Sequence, residues 1–187
     1  MLSVEIIEHY KSKPPVNARK VVHSLLTGIP QKYLGGLKTV VLRDSTTLSH
    51  DRRREKVLSR KKKTLLRKAG GVYHHATKEE PAWIEIFVDN VINKYQARLS
   101  LKIPFLRDLI FADTVYHEIG HHIHRTKVPE YKETEDVAEK WEEKLKRYYF
   151  LRKYWYIIIP LFVVLWPFLK ISRAIKKRSK KKRPPQK

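Results

Sequence analysis

At 187 residues the chain has room for one compact domain with extensions. It has no cysteine, which excludes disulfides and thiolate metal sites. Its 41 lysines and arginines against 19 aspartates and glutamates leave a formal charge of +22, which favours anionic partners.

Residues 2–11 place Leu2, Ile6, Ile7 and Tyr10 at helical spacing before Lys13-Pro14-Pro15, so a short amphipathic helix is expected there. Met1–Tyr10 is short, carries Glu5 and Glu8 and lacks a cleavage pattern, so it does not read as a signal peptide. A second helix is expected from about Val16 to Thr27. It would bury Val21, Val22, Leu25 and Leu26 and end at Gly28 and Pro30. Gly35-Gly36 then turns the chain into Leu37–Leu42, a β-rich run that reads as a strand.

Arg52–Lys68 carries ten basic residues against the single acid Glu55. Such a run is either a solvated helix or insertion, or a surface drawn to the phosphates of nucleic acid or lipid head groups. It lacks the interleaved aromatics that stack on single strands, whereas Val57, Leu58, Leu65 and Leu66 offer an apolar side to a membrane. Gly70-Gly71 restarts the sheet with Val72–His75. Trp83, Glu85 and Phe87 alternate with Ile84, Ile86 and Val88, as in a strand covered on both faces.

Pro104 opens a long helical pattern through Leu106, Leu109, Ile110, Ala112, Val115, Ile119 and Ile123. Within it stands His117-Glu118-Ile119-Gly120-His121. Histidines four apart lie on one helix face, so both imidazoles can reach one Zn²⁺, and Glu118 can hold a water beside it. Zinc lowers the pKa of its water to about 7, and the carboxylate takes the proton during attack on a carbonyl. Gly120 weakens a helix and is expected to admit another segment close to the metal.

The third ligand must be His, Asp or Glu. Lys127 occupies the place where a His-x-x-Gly-x-x-His site needs histidine. His124 lies roughly 10 Å along the axis from His117, and His122 is turned about 100° from the ligand face. Both remain candidates to face substrate, as does Tyr131. The helix breaks at Lys127-Val128-Pro129-Glu130, and a second apolar stripe follows in Val137, Trp141, Leu145, Tyr148 and Tyr149. Two helices joined by a short turn pack antiparallel. Folding the chain about Val128 sets Glu135 against His121 and Glu139 against His117. Glu135 is the expected third ligand and Glu139 the carboxylate that orients a ligand histidine. Glu133 and Asp136 stay open as ligands. A solvated acidic helix start would explain the charge, though not this register.

Tyr154–Leu169 is free of charge for sixteen residues and interrupted by Pro160 and Pro167; Tyr148 and Tyr149 before it and Tyr154, Trp155, Tyr156 and Trp166 within it resemble interfacial aromatic anchors. As a helix it would span roughly 24 Å, slightly short of a hydrocarbon core. Lys170–Lys187 adds ten basic residues and no acid. The positive-inside rule would keep that tail, and the basic domain before it, in the cytoplasm. A strained single span or a re-entrant or monotopic anchor is expected.

His117-Glu118-x-x-His121 followed by Glu135-x-x-Ala138-Glu139 resembles the gluzincin pattern of zinc metallopeptidases. It is similar to the very small minigluzincins and to the catalytic core of membrane metalloendopeptidases of the CAAX-processing type. The resemblance implies His117, His121 and Glu135 as zinc ligands and Glu118 as general base. Glu139 stands where the pattern has aspartate, and the spacing from His121 to Glu135 is short. In zincins generally a strand before the metal helix pairs with the substrate backbone, which implies Trp83, Ile84, Glu85, Ile86, Phe87 and Val88 here.

The expected fold is α+β, a zincin-like domain with a mixed sheet of about three strands on the metal helix and its antiparallel partner, plus a C-terminal membrane segment. Its parts would be N-terminal helices (1–30), the metallopeptidase domain (31–152, with the basic insertion at 51–69), the membrane segment (153–170) and the basic tail (171–187). The expected activity is hydrolysis of protein or peptide substrates with Zn²⁺, at an anionic membrane surface. A nucleic-acid-associated metalloprotease and a non-catalytic basic adaptor are the rivals.

Overall fold

The structure, a computed structural model, describes residues 4–59, 62–94, 100–127 and 135–181. It divides into two compact units, Met1–Tyr149 and Phe150–Lys187. The architecture is α+β with a short mixed sheet.

The first unit opens with a strand, a helix and a second strand. Strand β1 (Glu5–His9) pairs in parallel with β2 (Leu37–Arg43), Ile6 opposite Val40. A parallel pair needs a crossover, and helix α1 (Ala18–Thr27) supplies it. The helix expected at 2–11 is therefore a strand where it is described. Val4 and Ile6 alternate inward and are buried, while Ile7 is only half-buried, a period of two rather than 3.6. Helix α1 forms where expected. Asn17 caps it by accepting from the backbone N–H of Lys20 at 2.9 Å, and Val21, Val22, Leu25 and Leu26 fill the core.

The basic stretch is structured among its described residues. It contains helix α2 (His50–Arg54) and an antiparallel hairpin of β3 (Lys56–Ser59) and β4 (Lys62–Leu65). Strand β5 (Gly71–His74) runs antiparallel to β6 (Ala82–Phe87), which lies parallel to β2. The main sheet thus has four strands, ordered β1-β2-β6-β5, rather than about three.

The hairpin region packs on one sheet face, where Leu48, Leu66, Ala69 and Phe87 are buried together with Val57 and Val72 against them. Glu85 fixes the same face. Its carboxylate accepts from Arg43 Nη1 at 2.7 Å and from both Arg52 Nη atoms at 3.2 and 2.9 Å, with His74 Nε2 at 3.4 Å. Burial alone would raise the pKa of Glu85. The hydrogen bonds from His74 and Arg52 and the charges of Arg52 and Arg43 outweigh burial and bring it down to about 2.

The opposite face carries Ile84 and Ile86 toward the helices. After α3 (Val88–Lys94), α4 (Pro104–Lys127) packs on the sheet and on α1, with Tyr116 Oη donating to the Leu25 carbonyl at 3.1 Å. Helix α5 (Glu135–Lys181) starts in the first unit. There Tyr149 Oη donates to Asp108 Oδ2 at 2.7 Å and lies 3.0 Å from Ser24 Oγ, tying α5 to α4 and α1.

In the second unit α5 leaves helical backbone values at Tyr154 (φ −122°, ψ 22°). Trp155, Tyr156, Ile157, Ile159 and Val163 are exposed. Among the described residues no helix is long and apolar enough to cross a membrane, so the membrane-crossing segment expected at 153–170 finds no support. The uncharged run is shorter than a span requires.

Candidate metal centre

Helical periodicity delivers the first two donors. Val115, Tyr116, Ile119 and Ile123 bury the inner face of α4, and His117 and His121 stand one turn apart beside it, 3 % and 9 % exposed. Their Nε2 atoms lie 3.3 Å apart. The first residue of α5 supplies the third donor: Glu135 Oε2 is 3.2 Å from His117 Nε2, and Oε1 is 3.9 Å from His121 Nε2. One donor atom from each of His117, His121 and Glu135 falls within 4.8 Å of the others. Tetrahedral ligands about 2.0–2.1 Å from a zinc stand roughly 3.3–3.5 Å from one another. The donor set suits that ion in chemistry, two imidazoles and a carboxylate with no thiolate, and His117 stands at that spacing from both partners, while His121 and Glu135 are wider at 3.9 Å.

The helices meet at this level because Gly120 lacks a side chain. A Cβ there would lie 2.6 Å from the Ala138 carbonyl oxygen and 2.9 Å from its Cα. The expected close approach at Gly120 is thus made by α5, at the residue three after Glu135. Glycine and alanine together set the depth at which Glu135 reaches the histidines.

The carboxylate behind His117 is Glu142, not Glu139. His117 Nδ1 lies 3.1 Å from Glu142 Oε2. A proton on Nδ1, donated to Glu142, leaves Nε2 with its lone pair toward the donor centre. Glu139 is about 40° around the helix from Glu135, whereas Glu142, seven residues on, is only about 20° away. Glu142 in turn accepts from Lys146 Nζ. Lys146 also donates to Asp113 Oδ1 at 2.6 Å, and Lys94 donates to Asp113 Oδ2 at 3.0 Å. The second helix face was legible only to its first acidic repeat; an i, i+7 search would have found Glu142.

Glu118 is 6 % exposed. The Tyr73 backbone N–H donates to its carboxylate. Burial pushes its pKa up, His121 and His117 pull against that, and Glu135 adds to the rise; the net direction is upward. Gly71 makes room for it, since a Cβ there would lie 2.9 Å from Glu118 Cγ and 3.0 Å from Ile86 Cδ1. The Gly70-Gly71 doublet, expected to restart the sheet, leads into β5 and also seats the glutamate.

The remaining expected site residues are placed otherwise. His122 is fully buried, with Nε2 3.0 Å from the Gly35 carbonyl oxygen and Nδ1 3.3 Å from Tyr73 Oη. Burial lowers its pKa against the opposing hydrogen bond to Gly35. It braces β5 against the loop before β2 rather than facing substrate. His124 is also buried, 7 % exposed. Asp136, the alternative ligand, is exposed, and Tyr131 and Glu133 lie outside the described residues. Trp83–Val88 does not provide an open edge. Residues 82–87 are β6, flanked by β2 and β5, and Val88 begins α3. Strand β5 folds back over the edge that β6 would have offered. Among the described strands β5 is the outer strand of the main sheet on the Glu118 side, and its Tyr73 N–H donates to Glu118.

Two clefts meet at Gly71 and Glu118. One, of about 410 Å³, is bordered by Lys62, Thr64, Lys68 and Lys94 with Thr114 and His117. The other, of about 230 Å³, is bordered by Leu58, Val72, Tyr73, His121 and Glu135. Residues of the basic insertion wall both, a role its composition did not announce.

No protein-family model matches the chain, and no curated protein and no solved structure matches it.

Proposed function

We propose that this protein is a zinc-dependent peptide hydrolase of the gluzincin kind. The observation that carries the reading is the convergence of His117, His121 and Glu135, from two helices, beside the buried carboxylate of Glu118. His117, His121 and Glu135 would hold the ion, and Glu142 would keep His117 in the tautomer that ligates. Zinc held there supplies a Lewis acid that polarises a peptide carbonyl and makes water nucleophilic near neutral pH. Glu118, buried beside the three donors, would take the proton from the attacking water and return it to the leaving amine. The substrate backbone lies along the open edge of β5, which brings its carbonyls past Glu118 and its side chains into the two clefts.

Metal content tests the site. The full-length protein, stripped and reloaded, is expected to hold one zinc per chain. Glu135→Ala should bind it at least tenfold more weakly, about 1.4 kcal/mol or more. Equal affinity in the two proteins would remove Glu135 from the ligand set.

The second unit supports a membrane-surface location for the enzyme. Trp155, Tyr156, Ile157, Ile159 and Val163 are exposed, and basic residues follow in the sequence. Exposed aromatics beside cationic residues suit the interface of an anionic bilayer without crossing it.

A further inference from the structure

We propose that the larger cleft is a subsite for a carboxylate, so that the enzyme selects peptides carrying an acidic group on one side of the cleaved bond. The inference rests on the peptidase reading and adds the substrate class. Three lysines line this cleft. Lys62 comes from β4, Lys68 from the turn after it and Lys94 from the end of α3. Lys62 and Lys68 are exposed, and Lys94 Nζ is anchored on Asp113. The lysines come from three separate elements yet border one cleft. Glu118 also lines this cleft.

The two clefts differ in chemistry and share their junction. Both clefts reach Gly71; the basic one extends to Gly70, and the smaller one follows β5 to Val72 and Tyr73 and includes Leu58. A peptide extended along β5 therefore offers the residues on either side of its reacting carbonyl to opposite environments. The smaller cleft, where Leu58, Val72 and Tyr73 stand beside His121 and Glu135, meets one side chain. Ammonium groups meet the other, and they attract a carboxylate strongly while repelling lysine or arginine. The matching carboxylate is either an aspartate or glutamate side chain or the free C-terminus of a short peptide.

The test is fluorescence anisotropy on full-length Glu118→Gln protein loaded with zinc. The probes are labelled octapeptides of a common frame. One has Glu-Glu at its centre and an amidated end, one Gln-Gln with an amidated end, one Gln-Gln with a free carboxylate, and one Lys-Lys with an amidated end. At least one carboxylate probe is expected to bind about fivefold to tenfold more tightly than amidated Gln-Gln, and Lys-Lys more weakly. A gain from Glu-Glu assigns the subsite to side chains; a gain from the free end assigns it to the C-terminus. The gain should shrink to within about twofold in Lys62→Gln/Lys68→Gln and persist in Lys20→Gln/Lys38→Gln, exposed lysines that border neither cleft. No gain for either carboxylate probe, or equal losses in both double variants, would overturn the subsite. Wild-type cleavage separates the two claims. Cutting without acidic preference defeats the subsite alone, and intact preference without cutting defeats the hydrolase reading.

Discussion

Gly120 is where residue chemistry and site geometry meet most directly. In an isolated helix, alanine would be favoured over glycine by about 1 kcal/mol. Here a Cβ would strike backbone atoms of Ala138, which cannot rotate away as a side-chain tip could. Overpacking of that kind costs about 1–3 kcal/mol. Gly120→Ala is therefore expected to lower stability by about 1 kcal/mol net, read as a lower midpoint in urea. Because α5 carries Glu135, zinc affinity should fall with it. A more stable Gly120→Ala protein would show that the two helices do not approach as described. The glycine was legible in the sequence as an exception within an apolar helix. Its partner Ala138 was not, since nothing local tells which residue of a neighbouring helix will face it.

At the scale of elements, Glu85 shows how β6 organises the sheet. Its folded pKa of about 2 lies below the ordinary value of 4.5. The ionised carboxylate, held by Arg43, Arg52 and His74, stabilises the fold above pH about 4.5. That contribution is lost as pH falls from about 4.5 to about 2, and its full size is about 3 kcal/mol. Wild-type unfolding free energy should decline through that window. Glu85→Gln should be less stable at neutral pH and show a shallower decline. Parallel acid profiles for the two proteins would contradict the clamp.

Several elements were readable because local pattern and final environment agree: α1, β2, the 72–75 strand and α4 with its two histidines. Others were decided by long-range pairing. Residues 5–9 satisfy a helical stripe as well as an alternating one, and only a place beside β2 selects the strand. Strand order is likewise invisible locally, which is why β5 and not β6 is the outer strand on that side of the sheet. The charge of the basic insertion suggested a solvated run, whereas the Arg52–Glu85 fork and the apolar cluster around Phe87 dock it on the sheet.

For the molecule as a whole, a charge of +22 favours anionic surfaces and substrates in rate as well as in affinity. Flotation with vesicles tests the proposed membrane-surface location. The full-length protein should partition into phosphatidylserine-containing vesicles at least tenfold more than into neutral ones, as about 1 kcal/mol for each basic residue near the surface implies. Trp155→Ala/Tyr156→Ala should reduce that partition. Equal recovery with neutral and anionic vesicles would contradict the interface. The central claim, however, is chemical, and turnover tests it most directly. Zinc-loaded wild type and Glu118→Gln are compared on a mixture of quenched fluorescent peptides, with zinc content measured in the same samples. Wild type should cleave, and the variant should hold equal zinc while turning over at least about a hundredfold more slowly. Equal cleavage by both proteins, or a zinc-loaded wild type that cuts nothing, would contradict the account.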